Sequence, residues 1–132
     1  MITTLYAGLL AILYLGLTAY VIRGRYKHRV GLGDGGNPDL ARRVRMHGNF
    51  AEFVPFALLL LLLLDIARME PVIVHVLGIM LLTGRVAHVW GLHTSDAASP
   101  GRMIGMILTI LMIAISAILL LWNFIALRLT GF

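Results

Sequence analysis

The stretch RRVRMHGNFAEFVPFALLLLLLLD, residues 42–65, decides how the chain folds. Its first part holds three arginines, a histidine, an asparagine and a glutamate. It then runs without a turn signal into seven consecutive leucines. A helix needs about 20 mostly apolar residues to cross a bilayer. The purely apolar part here, residues 53–64, has only 12. The helix must therefore begin earlier and carry polar residues into the membrane. Asn37 is a suitable cap and Pro38 a suitable first helical residue, so a helix is expected over about 39–64.

At 100° per residue, Arg42, Arg45, Asn49 and Glu52 fall within about an 80° arc. Arg43 and His47 fall elsewhere. The stripe continues inward for about 15 Å at a rise of 1.5 Å per residue. A charged residue at the centre of a lipid-facing helix costs about 2.5 to 3.5 kcal/mol on insertion scales. The stripe must face protein or a wet cavity.

The rest of the chain agrees with a membrane setting. Of the 132 residues, 60% are hydrophobic and 13% charged. Residues 3–22, 71–92 and 102–127 give three further spans. The expected fold class is all-α, an integral membrane four-helix bundle forming one domain over residues 1–132. No cysteine is present, which excludes disulfides and thiolate metal sites. The histidines lack tight ligand spacing on one helix face, so no metal is expected. His75 reads as a helix–helix contact. The methionines read as core filler.

Seven of the eleven Lys and Arg lie between Arg23 and Arg45. Such a belt suits an anionic membrane surface or an anionic small ligand. Without interleaved aromatics it does not suit nucleic acid. Basic residues stay cytoplasmic, which places the loop after the first span inside and both termini outside. The connection at residues 93–101 is then also inside. The positive charges follow the first span, so it is read as a retained helix and not a cleaved leader.

Arg85 and His88 share one face of the third span, and Arg102 opens the fourth. A Glu52–Arg85 pair would neutralise both partners. The arginines left over would invite an anion with several carboxylates. An apolar second substrate could enter the same cavity from lipid. A buried pair could instead be only a device that fixes helix register.

Arg42, Arg45, His47, Asn49, Glu52 and Pro55 together resemble the second-helix signature of the membrane-associated proteins in eicosanoid and glutathione metabolism, the MAPEG family. GRVAH, residues 84–88, looks like the third-helix motif of its prostaglandin E synthase branch. GLGDGGNP, residues 31–38, looks like its bacterial branch. The resemblance spans essentially the whole chain. It implies a homotrimer in a bacterial inner membrane, with glutathione as co-substrate between subunits and open to the cytoplasm. It implies a lipophilic small-molecule substrate arriving through membrane lipid. By position, Arg25, Arg42, Arg45, His47, Asn49 and Glu52 are similar to glutathione contacts, with Arg29 the alternative to Arg25. Arg85 matches an arginine that pairs near the site. Arg102 aligns with the arginine that stabilises the glutathione thiolate.

The chain also departs from the family. Leu92 stands where the eicosanoid enzymes carry a tyrosine, and Met103 where one branch has a serine. No tyrosine occurs after Tyr26. The activity implied is that of a glutathione transferase or peroxidase. The rival reading is a non-catalytic membrane subunit or a glutathione- or lipid-binding protein whose polar stripe serves assembly.

Overall fold

The structure, a computed structural model, describes residues 1–94 and 99–130. Among these residues four helices follow in order: α1 (Thr3–His28), α2 (Pro38–Ile66), α3 (Pro71–Thr94) and α4 (Pro100–Thr130). All four are long and apolar enough to cross a membrane. The chain is a four-helix all-α membrane protein, and each helix covers its expected span. Residues 95–98 of the expected inner connection, and residues 131–132, lie outside the described part.

The start of α2 is built as the sequence dictates. Asn37 is its cap, and its side-chain oxygen accepts from the Leu40 amide at 3.0 Å. Pro38 opens the helix, where its missing N–H costs nothing. α1 runs beyond the expected span to His28, so Arg23, Arg25 and Lys27 are helical. It ends at Arg29 in the left-handed conformation, φ 55°. The loop that follows needs positive φ at Gly33, Gly35 and Gly36, which explains its glycines.

α2 and α3 form the middle of the bundle. α3 packs most extensively on α4, and α1 packs chiefly on α2. The core consists of apolar side chains such as Leu10, Leu61, Leu81 and Met112, all fully buried. Ile12, Leu15, Ile118 and Trp122 are exposed, an apolar outer surface suited to lipid. At one end of the bundle Asp65 of α2 accepts from the Thr3 amide at 2.8 Å and so caps α1 from a neighbouring helix. The Tyr6 hydroxyl donates to the His75 carbonyl at 3.1 Å and lies 2.9 Å from its Nδ1. His75 thus joins two helices, as expected.

Candidate functional site

The site begins with a glycine seam between α3 and α4. A Cβ on Gly84 would come within 3.0 Å of the Gly105 carbonyl oxygen. A Cβ on Gly101 would come within 3.0 Å of the Ala87 carbonyl oxygen. Small residues let two membrane helices meet backbone to backbone. The seam brings the start of α4 against the Arg85–His88 turn. His88 Nδ1 donates to the Arg102 carbonyl at 3.2 Å. Ser99 precedes α4, and its hydroxyl accepts from the Arg102 amide at 3.4 Å and donates to the Gly91 carbonyl at 3.0 Å. Arg102, the third residue of α4, is thus fixed at a capped helix start.

Arg85 lies inside the bundle at 1% exposure. Its Nη1 donates to the Asn49 Oδ1 at 2.8 Å. Its Nη2 reaches the Gly105 carbonyl at 3.4 Å and the Met106 sulfur at 3.5 Å. The guanidinium sits 5.8 Å from the centre of the Phe53 ring. Its Nε has no hydrogen-bond partner among the described residues.

The expected Glu52–Arg85 pair does not form. Glu52 pairs with Arg45 instead, with Arg45 Nη1 3.4 Å from Glu52 Oε1. The reason is rotational. Asn49 sits in the middle of the α2 stripe, and it is the residue that faces α3. Glu52 lies about 60° further round the helix and points outward. The Arg45 and Glu52 side chains are 63% and 53% exposed in the single chain. The stripe therefore divides into an inner half, Asn49 with Arg85, and an outer half, Arg45 with Glu52. Arg42 is half-buried near the start of the same stripe.

His47 points away from the stripe and toward α1. Its Nε2 is 3.1 Å from the Thr18 hydroxyl, and its ring lies 4.8 Å from that of Tyr14. Arg25 donates to the Gly33 carbonyl at 3.0 Å and to the Val30 carbonyl at 3.4 Å, fastening the glycine loop to the end of α1. Leu92 is buried in the core, and Met103 is exposed to 61%. Neither can offer a hydroxyl to a ligand. Among the described residues no group of three or more His, Asp or Glu could hold a metal ion.

Chemically, the arrangement offers an outward acid–base pair on α2, a buried guanidinium behind it and an arginine at a helix start. The glycine seam and the Ser99 cap were missed in the sequence. Their signals were there: Gly101 and Gly105 are spaced one turn apart, and Ser99 precedes Pro100.

The MAPEG family pattern matches residues 3–122. Inner membrane protein YecN of Escherichia coli (strain K12) is 41% identical over 93 residues, which cover 70% of this chain and 71% of that protein. The protein of the same name from Escherichia coli O6:H1 matches to the same extent. No solved structure matches the chain.

Proposed function

Because this chain belongs to the MAPEG family, we propose that it is a membrane-embedded, glutathione-dependent transferase or peroxidase that works as a homotrimer. The observation that carries this reading is the position of the Arg45–Glu52 pair. Glu52 is the middle residue of α2, 14 residues from Pro38 and 14 from Ile66. It lies about 21 Å along the helix from Ile66. With Ile66 at one edge of a hydrocarbon core about 30 Å thick, Glu52 is inside that core. A half-exposed carboxylate at that depth, tied to an arginine at the far edge of the core, would be costly against lipid. A water-filled cleft between copies of the chain removes that cost and creates a site for a zwitterionic ligand. Glutathione has two carboxylates for arginines and one ammonium for a glutamate. Arg42, Arg45, His47, Asn49, Glu52 and Arg85, with Arg25 at the loop, are proposed as its contacts and their supports.

Arg102 is proposed as the catalytic residue. A free thiol near pKa 8.5 is mostly protonated at pH 7. Lowering it by about two units needs roughly 2.7 kcal/mol of preference for the thiolate. A guanidinium in a low-dielectric cleft can supply that, and the start of α4 adds a favourable dipole. In conjugation the thiolate forms a C–S bond and the leaving group departs with its electron pair. In peroxide reduction an S–O bond forms as the O–O bond breaks, and the alkoxide takes up a proton. A second glutathione then resolves the sulfenic acid to the disulfide and water.

The relatives are named as inner membrane proteins. We place this chain likewise in the cytoplasmic membrane, with the Arg23–Arg45 belt inside and both termini outside. The test is an assay of the purified protein with glutathione against an aryl halide and a lipid hydroperoxide, alongside thermal unfolding with and without glutathione. Turnover of either substrate and stabilisation by glutathione are expected. Neither effect would leave the polar stripe as an assembly device in a non-catalytic membrane protein.

A further inference from the structure

A groove between α1 and α3, floored by Met46 of α2, has a volume of about 430 Å³. Its walls are apolar, formed by Leu13, Leu17 and Val89. It stays open because Gly16 and Ala19 line it with almost no side chain. A Cβ added at Gly16 would touch nothing within 4 Å. From Leu13 to Arg23 it runs about 15 Å along α1.

One end of the groove is different. Tyr20, Arg23 and His93 line it there. The Tyr20 hydroxyl lies 3.3 Å from His93 Nδ1, joining α1 to α3. Tyr20 is held from behind by Arg43, whose guanidinium sits 4.0 Å from the ring centre and donates to the Tyr20 carbonyl at 3.1 Å. Arg43 is in turn paired with Asp39 at 3.1 Å. The polar end is thus braced by three helices. In the tautomer whose Nδ1 accepts from the Tyr20 hydroxyl, the His93 ring proton is on Nε2 and is free to meet an anion. Arg23 is exposed and makes no ion pair among the described residues.

We propose that this groove binds an anionic phospholipid of the surrounding bilayer, with an acyl chain along Leu13, Leu17, Met46 and Val89 and the phosphate against Arg23 and His93. Depth supports it: the apolar run of α1 ends at Ile22, and Arg23 is the first charge, at headgroup level. Charge selects the headgroup. Lys27, one helical turn after Arg23, lies on the same face of α1, so the headgroup end of the groove is cationic and favours an anionic lipid. A free phosphate would leave the apolar wall uncovered. The inference does not rest on the glutathione reading, because it uses none of the residues proposed to bind glutathione.

The test uses the full chain, delipidated in detergent, titrated with phosphatidylglycerol, phosphatidylcholine or a free fatty acid. Thermal unfolding and native mass spectrometry report the bound lipid. Phosphatidylglycerol should stabilise the protein and be retained, and phosphatidylcholine should not. Arg23→Gln with His93→Gln should weaken phosphatidylglycerol retention about tenfold, the loss of one charge-assisted contact. Gly16→Leu should fill the groove and abolish retention with every charge in place. Arg23→Gln alone, at an exposed position, gives a readable result even where the other variants fold poorly. Equal stabilisation by both phospholipids, tighter binding of the fatty acid, or unchanged retention in these variants would overturn the proposal. Glutathione stabilisation measured on the same samples keeps the two readings separate.

Discussion

Arg85 donates to the Asn49 amide oxygen at 2.8 Å inside the bundle, and this contact ties the polar stripe of α2 to α3. The buried cation is thus met by a neutral acceptor and a ring face, not by a carboxylate. Among the described residues its Nε makes no hydrogen bond. The guanidinium keeps an unspent charge on Asn49, one helical turn of α2 from both Arg45 and Glu52, and in the proposed cleft that charge would favour an anion.

Asn49→Leu should therefore destabilise the protein far more than Glu52→Gln. Removing the amide strands a buried charged donor, at a cost of about 1.5 to 3 kcal/mol. Glu52 is half-exposed, and its loss should stay within about 0.5 kcal/mol. Thermal unfolding in detergent without glutathione compares them. Equal losses would contradict the division of the stripe into inner and outer halves.

Gly105→Ala should loosen the α3–α4 seam. Its Cβ would press on the Gly84 carbonyl and the His88 amide, which are backbone atoms and cannot rotate away. A loss of about 1 to 3 kcal/mol is expected, with turnover reduced as Arg102 shifts. Gly16→Ala, where the added carbon meets open space, should be neutral or stabilising by up to about 1 kcal/mol. Unfolding midpoints of the two variants decide this.

Much of this architecture was legible in the residues. The length of the leucine run forced α2 to start at its polar end, and Asn37 and Pro38 marked where. The single-helix projection correctly grouped Arg42, Arg45, Asn49 and Glu52, but it could not say which edge faces α3. That depends on the rotation of α2 in the bundle, which is set by packing from Leu40, Met46, Phe50 and Val54. Hence Glu52 was paired with the wrong arginine. His47 faces Thr18 because the α1 side of α2 lies on the opposite edge, a tertiary fact with no local signal.

Arg45→Ala and Glu52→Ala should each weaken glutathione binding. Arg45 would lose a charge-assisted contact worth about 1.5 to 3 kcal/mol, roughly a tenfold to hundredfold loss. Glu52→Ala removes the carboxylate proposed to meet the glutathione ammonium. Calorimetric titration in detergent checks both. Binding like the parent in both variants would make the stripe structural.

A reporter fused after residue 132 should lie outside the cytoplasm. Arg68 and Arg128 are the only basic side chains on the side opposite the Arg23–Arg45 belt, apart from those within the spans. A paired reporter active only in the cytoplasm checks this. A cytoplasmic signal would move the belt, and the proposed glutathione cleft with it, to the other face.

The most direct measurement is the ultraviolet absorbance of the glutathione thiolate on mixing with the protein near neutral pH, in the parent and in Arg102→Ala. The parent should show a thiolate signal proportional to bound glutathione. Arg102→Ala should bind glutathione almost as tightly, because the peptide is proposed to be held by Arg45, Asn49 and Glu52, yet lose both the signal and turnover. Arg102→Lys should restore part of each. A full thiolate signal in Arg102→Ala, or none in the glutathione-saturated parent, would contradict the account.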